Sequence, residues 1–190
     1  MKSKFLIGSL LAISTASFVS TATAAEVKTG YFVGVEIGST SFDQHITSTY
    51  GYDETVSDSG GFRAIKGGMY LAENGRGYAS IGTVSIDEGS YNIYEVGYDY
   101  LWYNNSNFIP FAGAALGYES MSFDDSDLDT ISGITYGVEL GAQYAMNESV
   151  DFEFGYKIKF NSNDVELFDG DVTYALENES NWYLGVNYNF

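Results

Sequence analysis

Residues 150–160, VDFEFGYKIKF, alternate without a break. Phe152, Phe154, Tyr156, Ile158 and Phe160 fall on one face, and Asp151, Glu153, Gly155, Lys157 and Lys159 on the other. A period of two marks an extended strand, because successive side chains point to opposite sides of the backbone. Taken alone, such a strand suits a soluble protein with its aromatics in a core and its charges in water. Residues 181–190, NWYLGVNYNF, repeat the pattern with Trp182, Leu184, Val186, Tyr188 and Phe190 on alternate positions. A terminal segment tends to fray in water, so this apolar face needs a phase to receive it.

Working outward, six further segments read as extended: 31–42, 61–71, 76–86, 91–103, 108–119 and 133–146. Each is close to the length of about 9 to 11 residues that a tilted strand needs to cross a bilayer. Together with 150–160 and 181–190 they number eight, and bacterial membrane barrels have even strand counts from 8 upward. Two of them alternate less cleanly. In 76–86, RGYASIGTVSI, the facing is ambiguous. In 61–71, Arg63 and Lys66 have opposite parity, which a bulge or a rim position for Arg63 reconciles.

The connections give an independent argument. If the chain starts on the periplasmic side, the turns on that side are AENG, NNSN and NES, all short. Three of the four on the other side, DQHITSTYGYDETVSDSG, ESMSFDDSDLDTIS and NSNDVELFDGDVTYALENES, are long, polar and acidic. Short periplasmic turns and long external loops are the asymmetry of transmembrane barrels. A secreted eight-stranded barrel resembling a lipocalin is the alternative, and it gives no reason for this alternation.

The N-terminal residues set the compartment. Lys2 and Lys4 precede an apolar run from Phe5 to Ile13, and STATAA follows with Ala22 and Ala24 in an Ala-x-Ala pattern. Residues 1–25 therefore read as a secretory signal peptide cleaved after Ala24 or Ala25, and 26–190 as one domain. The run is too short to span a bilayer as a helix. Cysteine is absent, so neither a disulfide framework nor a thiolate metal site is expected. Without Lys2 and Lys4, the eight Lys and Arg fall to six against 26 Asp and Glu, which argues against nucleic acid as a partner. Seventeen Tyr, 13 Phe and 22 Gly separate the chain from acidic disordered polypeptides. The fold class that results is all-β, an eight-stranded antiparallel up-and-down transmembrane barrel.

With its signal peptide, eight alternating segments and final aromatic pattern, the chain resembles the small eight-stranded bacterial outer-membrane barrels, the group of the OmpA transmembrane domain and the OmpX and Ail proteins. It looks closer to the stand-alone OmpX type than to a barrel followed by a peptidoglycan-binding domain. The resemblance implies that Trp182, Leu184, Val186, Tyr188 and Phe190 form the signal read by the outer-membrane insertion machinery. It also implies lipid and lipopolysaccharide as surroundings and roles in adhesion or envelope integrity.

Parity assigns an inward set: Glu36, Lys66, Glu95, Asp99, Glu139, Gln143, Asp151, Glu153, Lys157 and Lys159, with glycines 97, 137, 141, 155 and 185. An eight-stranded barrel has room inside only for its own side chains, so these charges should pair. Lys157 and Lys159 are expected to meet Glu139 and Glu153, and the glycines to make room for Phe111 and Tyr183. Phe154→Lys, facing lipid, should cost roughly 2 to 4 kcal/mol, whereas Glu153→Gln should be tolerated.

Chemistry beyond this is sparse. Asp125, Asp127 and Asp129 have the opening spacing of a calcium loop, but Thr130 stands where Gly is expected and no Glu closes the loop. They read as a solvated acidic loop or a weak divalent-cation site shared with lipopolysaccharide phosphates. His45, with Ser39, Ser41, Ser48 and Asp43 nearby, is the only candidate for lipid-modifying catalysis, and no motif fixes that geometry. The expectation is a monomeric, non-enzymatic barrel without cofactor, displaying acidic loops; a small cation-preferring pore is the alternative.

Overall fold

A computed structural model describes residues 27–48, 53–86, 89–123, 131–161, 164–167 and 172–190. Among these residues nine strands run in chain order: β1 Tyr31–Ser48, β2 Asp53–Leu71, β3 Gly75–Ile86, β4 Gly89–Leu101, β5 Phe108–Phe123, β6 Ile131–Ala145, β7 Val150–Asn161, β8 Asp164–Leu167 and β9 Val172–Asn189. Each of β1 to β7 pairs antiparallel with the next, β7 pairs with β9, and β9 pairs with β1, closing an eight-stranded barrel. Closure satisfies the backbone hydrogen bonds and removes the sheet edges within the barrel wall. Among the described residues no helix is long and apolar enough to cross a membrane; the crossing is made by strands.

The register is continuous through β2, so Arg63 does not sit at a bulge. It pairs with Ile37 on one side and Thr83 on the other, and takes the rim position. The β-bulge that is present falls in β1 against β9, between Phe42 and Gln44. In β3 the ambiguity resolves with Arg76, Tyr78 and Val84 buried and Ala79, Ile81 and Ser85 exposed. Small residues on both parities are what hid this strand's facing.

Two segments expected as loops are largely strand. β1 and β2 continue as a hairpin to Ser48 and from Asp53, with Thr47 opposite Asp53. β9 begins at Val172 and carries β8 on its outer side, with Leu167 opposite Val172. The long-loop end therefore bears a four-stranded antiparallel sheet in the order β8, β9, β1, β2. The turns at the other end are short, Ala72 to Asn74 between β2 and β3, for example.

Burial is inverted relative to a soluble protein. Ile65 is 69% exposed, Leu140 65% and Ile81 62%, while Arg76, Asp99 and Asp151 are fully buried. The outward positions form one apolar belt around the barrel, far beyond the exposed patch of an ordinary soluble monomer. Aromatics mark its margins, among them the edge-to-face pairs of Tyr100 with Trp102 and Tyr188 with Phe190. A belt of this composition is solvated by hydrocarbon.

Candidate functional site in the barrel lumen

Every residue of the expected inward set is buried: Glu36, Lys66, Glu95, Asp99, Glu139, Gln143, Asp151, Glu153, Lys157 and Lys159. Neighbouring strands bring them together because inward positions of paired strands share a row. Glu139 stands opposite Lys157, for instance, and Glu153 opposite Gln143.

Glu153 is the centre of the arrangement. Its Oε1 accepts from Lys66 Nζ at 2.7 Å, Tyr183 Oη at 3.0 Å and Arg76 Nη2 at 3.2 Å. Its Oε2 accepts from Arg76 Nη1 at 2.5 Å, Asn187 Nδ2 at 2.9 Å and Gln143 Nε2 at 3.1 Å. Only an ionised carboxylate suits so many donors. Lys66 also holds Glu36 at 2.5 Å, and Arg76 also holds Asp99 through Nε at 2.7 Å. Arg76 was not among the expected lumen residues; a charge within a lipid-facing strand is costly, and that cost was the available signal for turning it inward.

The expected pairing of Lys157 and Lys159 with Glu139 and Glu153 is corrected in part. Lys157 meets Glu95 and lies 3.5 Å from Glu139. Lys159 instead pairs with Glu119 at 2.7 Å and Glu179 at 2.8 Å. The register explains the change: Lys159 stands opposite Glu179 on β9, in a stretch the sequence assigned to a loop. Tyr78 donates to Glu139 at 2.9 Å and Glu95 at 3.2 Å, joining the clusters. This geometry also reverses the expectation for Glu153→Gln, because an amide in that position presents donors to donors.

At the short-turn end, Lys28 pairs with Asp151, whose other oxygen accepts from Asn189 at 2.9 Å. The backbone N–H of Lys28 donates to Tyr103 Oη at 3.3 Å, and burial holds the Tyr103 phenol above the usual tyrosine range. Five cations and eight carboxylates thus line the lumen and its rims, and each of these carboxylates touches a cation.

Two apolar clusters flank the central network around Glu153. Toward the short turns lie Phe32, Tyr70, Leu101, Ile109 and Phe111, with the Arg76 guanidinium 5.0 Å from the Phe111 ring centre and 5.5 Å from that of Phe32. Toward the long loops lie Phe42, Val84, Tyr91 and Ile93, backed by Phe62. Between this upper cluster and the ion network is a cavity of about 10 Å³, lined in part by Ser80, Glu95, Lys157, Lys159 and Asn181. It has room for about one water molecule. Among the described residues the lumen is filled in layers rather than open.

Trp182, Leu184, Val186, Tyr188 and Phe190 are all exposed on the belt, alternating with buried Tyr183, Gly185, Asn187 and Asn189. His45 lies on β1, its backbone opposite Thr55 and Ala175, and its side chain lies outside the described residues. Asp125, Asp127 and Asp129 also lie outside them, as do residues 1–25.

The family model described as outer membrane protein beta-barrel domain matches residues 9–190. The crystal structure of Neisserial surface protein A is similar at a TM-score of 0.62 and 19% identity, covering 85% of this chain and 97% of that one. The N-terminal β-barrel domain of Pseudomonas aeruginosa OprF is similar at a TM-score of 0.58 and 14% identity, over 86% of this chain and all of that one. At these identities the likeness is one of fold. No curated protein sequence matches the chain.

Proposed function

The chain belongs to the outer membrane protein β-barrel domain family, and within it we propose a sealed-lumen barrel of the bacterial outer membrane that acts through its outer surface. It presents its long-loop end to the exterior in an interaction or envelope-integrity role. The observation that carries this reading is the filled lumen: an ion network with an apolar cluster on either side leaves no hydrated path through the described residues. The four-stranded sheet at the long-loop end adds to it, since it extends the barrel into the space where a surface partner would be met. Residues 43–60, 87–88, 120–132 and 161–178 hold fifteen Asp and Glu and no Lys or Arg. Asp125, Asp127 and Asp129 among them share divalent cations with neighbouring lipopolysaccharide phosphates, and the terminal aromatic pattern is read during insertion. The barrel works as a monomer and as a non-enzymatic surface protein.

Planar-bilayer recording tests it. The purified protein should give no discrete conductance steps at neutral pH. Cation-selective steps would establish the small pore in its place.

A further inference from the structure

Of the six Lys and Arg that follow Lys4 in the sequence, five hold carboxylates in the lumen or at its rim: Lys28, Lys66, Arg76, Lys157 and Lys159. The sixth, Arg63, is exposed on the outward parity of β2. Its height on the wall is fixed by register. The row running through it across β3 to β6 is Thr83, Asn92, Ser120 and Ser132. The next outward row toward the short turns is Ile65, Ile81, Tyr94, Tyr118 and Ile134. On the other side of Arg63 the same row runs through Ile37, Leu184 and Phe154, all exposed on the belt. Arg63 therefore stands where this row passes from apolar to polar positions, the first polar outward position of β2 above Ile65.

That level is where lipid headgroups meet the wall. A guanidinium on a flexible stem at a belt margin keeps its charge at the headgroups while its methylenes lie along apolar surface. Its planar donors match phosphate oxygens. Thr83 stands beside it in the same row, and Ser39 and Ser85 flank Gly61 in the row above. A Cβ built at Gly61 meets nothing within 4 Å, so space is open above the guanidinium. Elsewhere at this end the acidic segments carry no Lys or Arg and meet phosphate only through a bridging divalent cation, whereas Arg63 meets it directly. The geometry points to Arg63, with the Thr83 and Ser85 hydroxyls, as a binding site for the phosphate of an anionic lipid in the leaflet surrounding the long-loop end. The site lies on the outer wall and holds whether or not the lumen conducts.

The test uses the full protein in detergent micelles, titrated with diphosphoryl lipid A, with its dephosphorylated form and with inorganic phosphate, and read by native mass spectrometry. Diphosphoryl lipid A should bind roughly tenfold more tightly than the dephosphorylated form, the contribution expected of charge-assisted hydrogen bonds. Arg63→Gln should abolish that ratio and Thr83→Val should reduce it, with both variants retaining heat-modifiable gel mobility as proof of the closed barrel. Inorganic phosphate at millimolar concentration should not displace the lipid. An unchanged ratio in Arg63→Gln overturns the site, as does equal binding of the two lipid forms. Displacement by inorganic phosphate at the lipid's own affinity overturns the lipid as its source.

Discussion

Glu153 accepts hydrogen bonds from six donor atoms on five side chains while being screened from water on every side. Breaking a buried ion pair from one side leaves the partner charge uncompensated, at a cost of about 3 to 5 kcal/mol. Glu153→Gln takes one of two carboxylates from both Arg76 and Lys66, which keep Asp99 and Glu36. Urea unfolding from lipid vesicles, followed by Trp102 and Trp182 emission, should show a loss of that size. Its neighbour Phe154 faces the other way and is 52% exposed on the belt. Phe154→Lys should cost roughly 2 to 4 kcal/mol by placing a charge against hydrocarbon. Substitutions at adjacent positions thus destabilise for opposite reasons, one by removing a charge and one by adding it. A different kind of strain sits at Ala72, which adopts a φ of 55° in the turn between β2 and β3. The left-handed region is unfavourable for a residue with a Cβ and open to glycine. Ala72→Gly should therefore raise stability by about 0.5 to 1 kcal/mol in the same assay, and a loss would show that the turn does not need that conformation.

Strands fit together inside this barrel by setting glycine against ring. An added Cβ at Gly155 of β7 would lie 2.3 Å from Tyr183 Cζ of β9, one at Gly97 of β4 2.3 Å from Tyr78 Cζ of β3, and one at Gly141 of β6 2.4 Å from Phe111 Cζ of β5. Each ring lies over a backbone that offers no side chain, which lets neighbouring strands approach at full packing density. Gly155→Ala should cost about 1 to 3 kcal/mol through overpacking. Tyr183→Ala should cost measurably less in the Gly155→Ala background than alone; strictly additive losses would mean the ring and the glycine are not packed as a unit. The strands most legible in sequence are those with large residues on one parity and charge on the other, such as β7 and β9. Gly and Ser carry no facing information, which is why β3 stayed ambiguous and Arg76 with it. The extensions of β1, β2 and β9 and the short β8 were unreadable for another reason. In 43–48 and 53–58 polar residues fall on both parities although backbone pairing continues, and the alternation of Val165 with Leu167 and of Val172, Tyr174 and Leu176 is short and set among acidic residues that read as loop. Glu179 was lost to the inward set on that account. Parity placed the inner charges, but which carboxylate each lysine meets depends on interstrand register and on reach across the lumen, and neither is written in local order.

For the molecule as a whole, the described residues of the lumen and its rims carry eight carboxylates against five cations. The central network of Glu153, Arg76 and Lys66 has one apolar cluster toward the short turns and another toward the long loops, the latter at the level where Phe42 stands opposite Glu179 and Ile93 opposite Glu119. A constriction lined by apolar groups blocks ions by excluding water, whatever the charge behind it. Two such constrictions in series make the barrier redundant, so opening either one alone leaves the other closed. Truncating the upper layer with Phe42→Ala and Tyr91→Ala should leave planar-bilayer recordings silent, and so should truncating the lower layer with Phe32→Ala and Phe111→Ala. Combining the four substitutions should produce conductance, and it should favour cations because the exposed network is acidic in excess. Each truncation removes buried apolar contact and weakens the barrel by about 3 to 5 kcal/mol, so heat-modifiable mobility must be retained before a silent trace is read. Conductance from one truncated layer would show that the other layer does not seal. Silence in the folded fourfold variant would place the block in the ion network itself, with Arg76, Lys66 and Glu153 closing the lumen.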